Sequence, residues 1–449
     1  MPQILSESEA RALCERILSQ MTADGADVAL RAEESGNARF AGNGITTSAD
    51  TVDTMATLTA RFGLRRASVS FNALDGPGIT DAARRAERLA EIAPEDPEQM
   101  PLLGPQAYEP TAAFFESTAG LDPETRAAAV AAVTERAVAD GLDATGFIEH
   151  AAQSVAIANT NGLFAYHRST EASFTTTVRT ADGNGSGWAG TTHNDWDRLE
   201  APEALAERAA DKARRSADAV AIEPGAYTVV LEPTAAANLI GLVAGAMNAR
   251  TADEGRSFFS KRGGGNKVGE RVAGEGVTLL SDPRDPDILE RPFTEDGLPV
   301  ARTVWIENGV LRHLAYSRYW AEQQGVEPVP MAGGLKLEGG EGTAADLVAG
   351  VERGLLVTRF WYIRSVDQRT LLYTGLTRDG TFLIENGQVT RSVKNMRFNE
   401  SPMAMLNNVM AAGTAVRVVA SGSGGLGPAV VMPPLVVRDF RFTSLSDAV

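Results

Sequence analysis

Cysteine and histidine are scarce in this 449-residue chain, which contains one cysteine and four histidines. The single cysteine, Cys14, excludes an intramolecular disulfide bond and a cluster of thiolate ligands around a metal. Because Cys14 lies in an amphipathic helical pattern, we predict a buried structural residue rather than a nucleophile. The histidines are spaced too widely for one helix to present two of them to a metal, so a metal site would need histidines from different strands to lie close together. The four histidines are His150, His167, His193 and His313.

Long apolar segments and a secretory leader are also missing. The longest uninterrupted apolar run, residues 239–247, is about half as long as a membrane-spanning helix requires. The N-terminal segment is acidic and lacks the basic and apolar regions of a signal peptide. These observations predict a cytoplasmic protein.

Basic residues are outnumbered by acidic ones. The chain has 42 Lys and Arg against 58 Asp and Glu, which gives a formal net charge of −16. A field of this sign repels phosphate backbones and anionic lipids, so we expect neither nucleic acid nor membrane as a partner. The length supports two domains, and the 43% hydrophobic content is typical of globular proteins.

Common catalytic motifs are absent, including GxSxG, the Walker pattern and a strand-to-helix GxGxxG. The Gly-rich segment 257–272 carries basic side chains, but without such a pattern we predict an adaptable surface loop rather than a phosphate site. A second Gly-rich segment, 331–342, predicts close approach of its backbone to an extended segment. In the third, 420–427, we assign Ser421 and Ser423 to loop packing rather than to nucleophilic catalysis.

Alternating strand patterns in both halves predict an α+β fold with two domains and largely antiparallel sheets. We place the N-terminal α+β domain at residues 1–223 and the β-rich C-terminal domain at residues 224–449. Helical patterns in the first domain occur at 79–93, 122–141 and 202–219.

The C-terminal domain contains the segment "VVLEPTAAANLIGLVAGAMNAR", in which an apolar strand leads through a Pro turn into an apolar helix at 233–249. We expect the second sheet to curl around this helix. The repeated "IENG" predicts two hairpins that turn at Asn-Gly. Further helices are predicted at 343–357, with Gly354 as the C-cap, and at 401–413.

Aromatic and basic residues are concentrated in segment 359–380, which includes Trp361, Tyr362 and Arg364. This composition is typical of an interface. Core packing with arginines at the rim is an equally good interpretation, and both stay open here.

An ordered series of segments carries a resemblance to a known family. "YTVVLEP" followed by a helix, "VAGVERGLLV", "LYTGLTRDGTFLIENGQV" and "VKNMRFNESPMAMLNNV" resemble the TldD/PmbA family, as do the N-terminal stretches "GLRRASVSFN" and "VAIANTNG". The resemblance extends over nearly the whole chain. It implies one of two related kinds of subunit that together form a heterodimeric zinc metallopeptidase.

In the zinc-bearing TldD kind, the helix after the "VVL" strand carries HExxxH, and a Gly-rich stretch near the C-terminus supplies a Cys ligand. Here the helix has Ala236, Asn238, Ile240 and Leu242, which cannot replace imidazole or carboxylate ligands, and "ASGSGGLG" has no Cys. The chain therefore resembles the TldE (PmbA) kind, which lacks the metal.

The resemblance implies a non-zinc-binding subunit that forms part of a chamber for unfolded or extended peptides. It implies no catalytic residue, metal ligand or cofactor in this chain, and zinc in a TldD-like HExxxH partner. One alternative is a homodimeric peptide-binding or scaffold protein without proteolytic activity. Another is an independent hydrolase that uses a serine or a site built from histidines.

Five residues are predicted to line the substrate chamber or an interface, because they are polar, aromatic or loop-forming residues near the place where the family has its chemistry. They are Asn238, Arg250, Gly264, Trp361 and Arg364.

Overall fold

The computed structural model describes residues 4–420 and 425–446. Ser421 and Ser423 lie outside the described residues. The chain forms two α+β units with largely antiparallel sheets, and the predicted boundary at Pro224 falls in the connection between them. No helix in the described part of the chain has the length and apolarity to cross a membrane.

The elements of the N-terminal unit, in chain order, are α1 (Glu7–Leu18), β1 (Gly25–Ala41), β2 (Gly44–Phe62), β3 (Arg65–Phe71), α2 (Gly76–Ile92), α3 (Glu116–Ala119), α4 (Pro123–Ala139), β4 (Leu142–Asn159), β5 (Phe164–Thr180), β6 (Ser186–His193) and α5 (Pro202–Ser216). The predicted helices at 79–93, 122–141 and 202–219 are thus confirmed, with ends that differ by a few residues.

Strands β1 to β6 form one antiparallel sheet in the order β3-β2-β1-β4-β5-β6. Side chains of a strand alternate between the two faces, and the even-numbered ones of β1, β4 and β5 are largely apolar. They pack against α1 and α2 at one end of the sheet and against α4 and α5 at the other. The odd-numbered side chains form the opposite face, called here the helix-free face, which is rich in polar residues.

The elements of the C-terminal unit are β7 (Gly225–Leu231), α6 (Pro233–Ala246), α7 (Ala249–Asp253), β8 (Leu279–Ser281), β9 (Thr303–Glu307), β10 (Val310–Leu311), α8 (Arg318–Gln324), β11 (Leu335–Leu337), α9 (Ala344–Ala349), β12 (Arg353–Asp367), β13 (Leu372–Glu385), β14 (Gln388–Ser392), β15 (Met396–Glu400), α10 (Pro402–Asn407), β16 (Val409–Ala412), β17 (Val416–Val418), β18 (Val430–Met432) and β19 (Leu435–Leu445).

A closed barrel forms because β12-β7-β19-β15-β13 are paired in that order and β13 pairs again with β12. A second sheet has the order β10-β9-β8-β11-β18-β17. Helix α6 belongs to the largest hydrophobic core, which also contains Leu355 and Phe398 of the barrel and Leu279 and Val430 of the second sheet. The predicted α+β fold, with a C-terminal sheet curled around a central apolar helix, is confirmed.

Both "IENG" hairpins are confirmed. Asn308 and Gly309 have φ angles of 47° and 79°, and Asn386 and Gly387 have φ angles of 53° and 74°. Positive φ at both central residues is the signature of a type I′ turn, which explains the Asn-Gly sequence.

Three helices of the C-terminal unit end earlier in the structure than the sequence predicts. Residues 353–357 belong to β12 rather than to a helix over 343–357, and Gly354 is a strand residue whose added Cβ would lie 2.5 Å from the Thr228 carbonyl. Residues 409–412 form β16 instead of extending a helix over 401–413, because they pair with β19. The helix predicted at 233–249 ends at Ala246, since Asn248 caps the separate helix α7.

Candidate functional site

Helix α6 presents an apolar surface at the position where the resemblance implies the ligands of the zinc-bearing kind of subunit. Ala236 and Ile240 are completely buried. The Asn238 side chain donates to the Ala420 carbonyl at 2.9 Å and accepts from the Phe360 amide at 3.0 Å, so both ends of its amide are hydrogen-bonded to the backbone. None of these side chains is an imidazole, thiolate or carboxylate, and the residues present therefore do not fit a zinc ion.

The histidines of the N-terminal sheet are not brought together either. His150 pairs with Ala172 and lies on the helix-covered face, whereas His167 lies on the helix-free face. His193 uses its Nδ1 atom to accept from the Asp195 amide at 2.9 Å. Within residues 4–420 and 425–446, no group of three or more His, Cys, Asp or Glu side chains is placed to share a metal ion.

A channel runs between the helix-free face and the C-terminal unit. It contains a cavity of about 850 Å³, called here the Glu171 cavity, and a cavity of about 1230 Å³, called here the Trp361 cavity. Leu426 lines both cavities, so that segment 425–427 crosses the channel between them. Polar side chains of β4 and β5 form the floor, which extends along the direction of the strands.

Charged residues converge in the Glu171 cavity from both units of the chain. The Glu171 carboxylate of β5 accepts from the Gly427 amide at 3.1 Å. Arg417 of β17 donates to Asn194 Oδ1 at 2.7 Å and to the Asp287 carbonyl at 3.3 Å. Together these contacts tie segments that are far apart in sequence to the floor of the channel.

Burial perturbs the proton affinities in this cavity. It raises the pKa of Glu171 to about 7, although the Gly427 amide and the Arg417 charge oppose the rise. Burial also lowers the pKa of Arg417, an effect that Glu171 and Glu290 oppose. A carboxyl group that titrates near neutral pH can both donate and accept a proton, and such groups are enriched at functional sites.

A stack of aromatic and guanidinium groups forms one wall of the Trp361 cavity. The Arg359 guanidinium lies 4.7 Å from the centre of the Trp188 ring and 5.2 Å from that of Trp361. Arg378 lies over Trp361 at 5.1 Å. Arg359 also pairs with Asp379 at 3.4 Å, so β6 of the N-terminal unit and β12 and β13 of the barrel meet at this stack.

Of the five predicted site residues, only Trp361 lines a cavity of the channel. Asn238 lies behind it, bonded to the neighbouring Phe360 amide. Arg250 lines neither cavity, and its guanidinium donates to both carboxylate oxygens of Glu98, at 2.7 and 2.8 Å. Gly264 occupies an open loop with φ of 113°. The exposed Arg364 stacks on Tyr362 at 4.3 Å.

Sequence reasoning missed the floor of the channel. On β5, His167, Ser169, Glu171 and Ser173 alternate with side chains of the helix-covered face. A polar residue at every second position normally indicates a solvated face, so this pattern did not indicate a site. The one feature that could have indicated the floor is the length of the strand, which continues the same alternation over residues 164–180.

Comparison with known proteins identifies the class of this chain. Residues 111–217 match the central domain of the PmbA/TldA metallopeptidases, and residues 224–444 match their C-terminal domain. Because these segments make up most of the chain, it belongs to the PmbA/TldD family of metallopeptidase-like proteins.

Particular relatives agree with this assignment. A protein of Methanothermobacter thermautotrophicus named "Metalloprotease" is 26% identical over 248 residues, which cover 51% of this chain and 52% of that protein. The chain thus matches about half the length of this curated relative. TldE from Thermococcus kodakarensis has the same fold, with a TM-score of 0.85 at 17% identity over 96% of this chain and 99% of that one. A proposed modulator of a DNA gyrase from Thermotoga maritima superimposes with a TM-score of 0.84, at 17% identity over 96% of this chain and all of the other.

Proposed function

We propose that this chain is the non-zinc-binding subunit of a heterodimeric TldD/TldE-type metallopeptidase that acts in the cytoplasm on unfolded or extended peptides. The observation that carries the proposal is helix α6. In a family of metallopeptidases, this helix buries Ala236 and Ile240 in the core and binds its one central polar side chain, Asn238, to backbone groups. Zinc and the groups that activate water would then come from a partner subunit with HExxxH.

The channel supports the second part of the proposal, a role in holding peptide. Its floor runs along β4 and β5, and each of its two cavities is large enough for a few residues of an extended chain. Polar floor residues can bind main-chain groups without selecting a particular sequence. A folded protein would not enter, so the substrate has to be unfolded.

Strand β2 supports association with another chain. Residues 44–53 are exposed, and within residues 4–420 and 425–446 they pair with β1 on one side only, because β3 pairs with β2 from Ala56 onward. A strand with a free edge and exposed side chains, including Ile45 at 48% and Val52 at 50%, is suited to pairing with a second subunit. This edge is equally available to a second copy of the chain, which keeps the homodimeric peptide-binding protein as the second candidate function.

Peptide hydrolysis tests the proposal. The chain would be produced alone and together with an HExxxH protein of the same family from the same genome, and both preparations would be given an unstructured fluorogenic peptide. We expect no turnover by the single chain and zinc-dependent turnover by the pair. Turnover by the single chain would instead favour the independent hydrolase.

The channel itself is tested with Trp361→Ala in the pair. Removing this ring from the cavity wall should raise the KM for peptide about tenfold, as expected for the loss of a large apolar contact. Tyr362→Ala is the matched control, because Tyr362 is the neighbouring aromatic residue but is 61% exposed and does not line the cavity. Equal effects of both substitutions would argue against peptide binding in the channel.

A further inference from the structure

Residues 425–428, called here the strap, lie between the two cavities of the channel. Gly425 and Leu426 line the Trp361 cavity, and Leu426, Gly427 and Pro428 line the Glu171 cavity. A peptide that extends along the floor from one cavity into the other would therefore meet the strap.

Two carboxylates of the floor bind the main chain of the strap. The Gly427 amide donates to Glu171 Oε1 at 3.1 Å, and the Leu426 amide donates to the Glu149 carboxylate. A Cβ atom added to Gly425 would lie 3.3 Å from Glu149 Oε1, so the strap backbone lies directly against the floor. Consecutive amides of the strap are thus bound by neighbouring acidic side chains.

These two carboxylates form one acceptor site. Glu149 lies on β4 and Glu171 on β5, and they occupy diagonal positions on the helix-free face because Ala151 pairs with Glu171. A buried carboxylate is costly unless donors bind it, so an occupant of this position has to supply hydrogen-bond donors. The main-chain N–H groups of an extended peptide meet this requirement whatever its side chains are.

The strap itself is held by few other polar contacts. Within residues 4–420 and 425–446, its four residues form no backbone–backbone hydrogen bond and belong to no strand. Regular pairing begins just after it, where the Leu335 amide donates to the Ala429 carbonyl at 3.0 Å. Two of its four residues are glycines, which contribute no side-chain packing. Hence the main polar contacts that its release breaks are two charge-assisted hydrogen bonds, which the amides of an entering peptide can form again.

We propose that the strap is an internal occupant of a peptide main-chain site: Glu149 and Glu171 accept from N–H groups of an extended peptide, and the strap fills this site until a peptide that spans both cavities displaces it. The inference rests on the proposed function in that the ligand is a peptide in the channel. It adds the two acceptors that hold the peptide and a segment of the chain that competes with it.

Peptide binding to variants of the strap tests the competition without partner or zinc. The probe is an unstructured, fluorescently labelled Ala/Gly peptide long enough to span both cavities, and binding to the full chain is followed by fluorescence anisotropy. Gly427→Pro removes the N–H group that Glu171 accepts. It should bind the probe about tenfold more tightly than the wild type, as expected when a competing charge-assisted hydrogen bond is lost.

Gly427→Ala is the matched control. It retains the N–H group, and a Cβ atom added at this position has open space around it. This variant should bind the probe as the wild type does, so that a difference between the two variants reports the hydrogen bond rather than the loss of glycine. Thermal melts would show whether both variants fold.

Site-resolved hydrogen exchange of the wild-type chain gives a second measurement that needs no substitution. The amides of Leu426 and Gly427 should be protected in the free chain and should exchange faster when the probe is present at saturating concentration. Protection that is unchanged or increased by the bound probe would mean that peptide binds without displacing the strap, which would overturn the inference.

The variants can overturn it as well. Weaker binding to Gly427→Pro than to the wild type, or equal effects of Pro and Ala, would contradict the competition, as would the absence of binding to both wild type and Gly427→Pro at millimolar concentration. Binding to Gly427→Pro alone would support it. Because neither zinc nor hydrolysis enters these assays, their failure is distinct from failure to find a peptidase partner.

Discussion

Asp379→Asn should destabilise the protein strongly, because it removes a carboxylate that pairs with the buried Arg359. The Asp379 carboxylate lies 3.4 Å from Arg359 Nε and accepts a hydrogen bond of 2.6 Å from Ser186 Oγ. The side chains of Arg359 and Asp379 are 5% and 2% exposed, respectively. Burial lowers the pKa of Arg359, and Asp379 opposes that effect, so the ion pair keeps a cation in a nearly dry position.

The expected loss is about 3–5 kcal/mol, the range found when one partner of a buried ion pair is removed. Asparagine preserves the size and the hydrogen-bonding capacity of the side chain, and it tolerates the φ of 54° at this position. The substitution therefore isolates the charge from the effects of shape and backbone conformation. Loss of the pair should also loosen the stack that holds Trp361 against Trp188.

Denaturant unfolding followed by tryptophan fluorescence measures this effect, since Trp188 and Trp361 both contact Arg359. The matched control is Asp439→Asn, because Asp439 is exposed and has a similar φ of 57°. It should change the unfolding free energy by less than about 0.5 kcal/mol. A loss below about 1 kcal/mol for Asp379→Asn, or equal effects of both substitutions, would refute the argument that this pair supports the wall of the channel.

Two further predictions concern the N-terminal sheet. Burial raises the pKa of Glu171 from 4.5 to about 7, so the folded protein binds this proton more tightly than the unfolded chain and stability falls as pH rises between these values. Glu171→Gln should hence be more stable than the wild type at pH 8, by up to about 3 kcal/mol, and this difference in stability should vanish near pH 4. Denaturation curves that differ by the same amount at every pH would contradict this prediction. Gly36→Ala should lose about 1–3 kcal/mol, because the added Cβ would lie 2.6 Å from both Asp50 Oδ1 and His150 Cε1, whereas Gly44→Ala, with open space around it, should be neutral in the same melts.

Elements that depend on local sequence could be predicted well. The Asn-Gly turns are specified by two residues whose positive φ angles fix a type I′ hairpin. Asp75 and Asp122 cap the N-termini of helices α2 and α4, and a Pro lies in the first turn of each helix. These signals act within a few residues, so the sequence alone contains them.

Elements that depend on distant partners could not be predicted. Residues 353–357 read as a continuation of the preceding helix, but they pair with β7 and β13, which are far away in the chain. The candidate site also depends on contacts between distant segments. Glu171, Glu290 and Arg417 converge only when the second sheet is placed against β5. Trp361 has a local signal, because aromatic and basic residues are concentrated in its segment, and its role in a site stays a prediction.

The most direct test of the proposed function is to isolate the tagged chain from its native host and to identify its stoichiometric partners by mass spectrometry, with zinc quantified in the same fraction. The proposal predicts a one-to-one complex with a chain that contains HExxxH and one zinc ion per complex. A metal-free assembly of this chain with itself would contradict it.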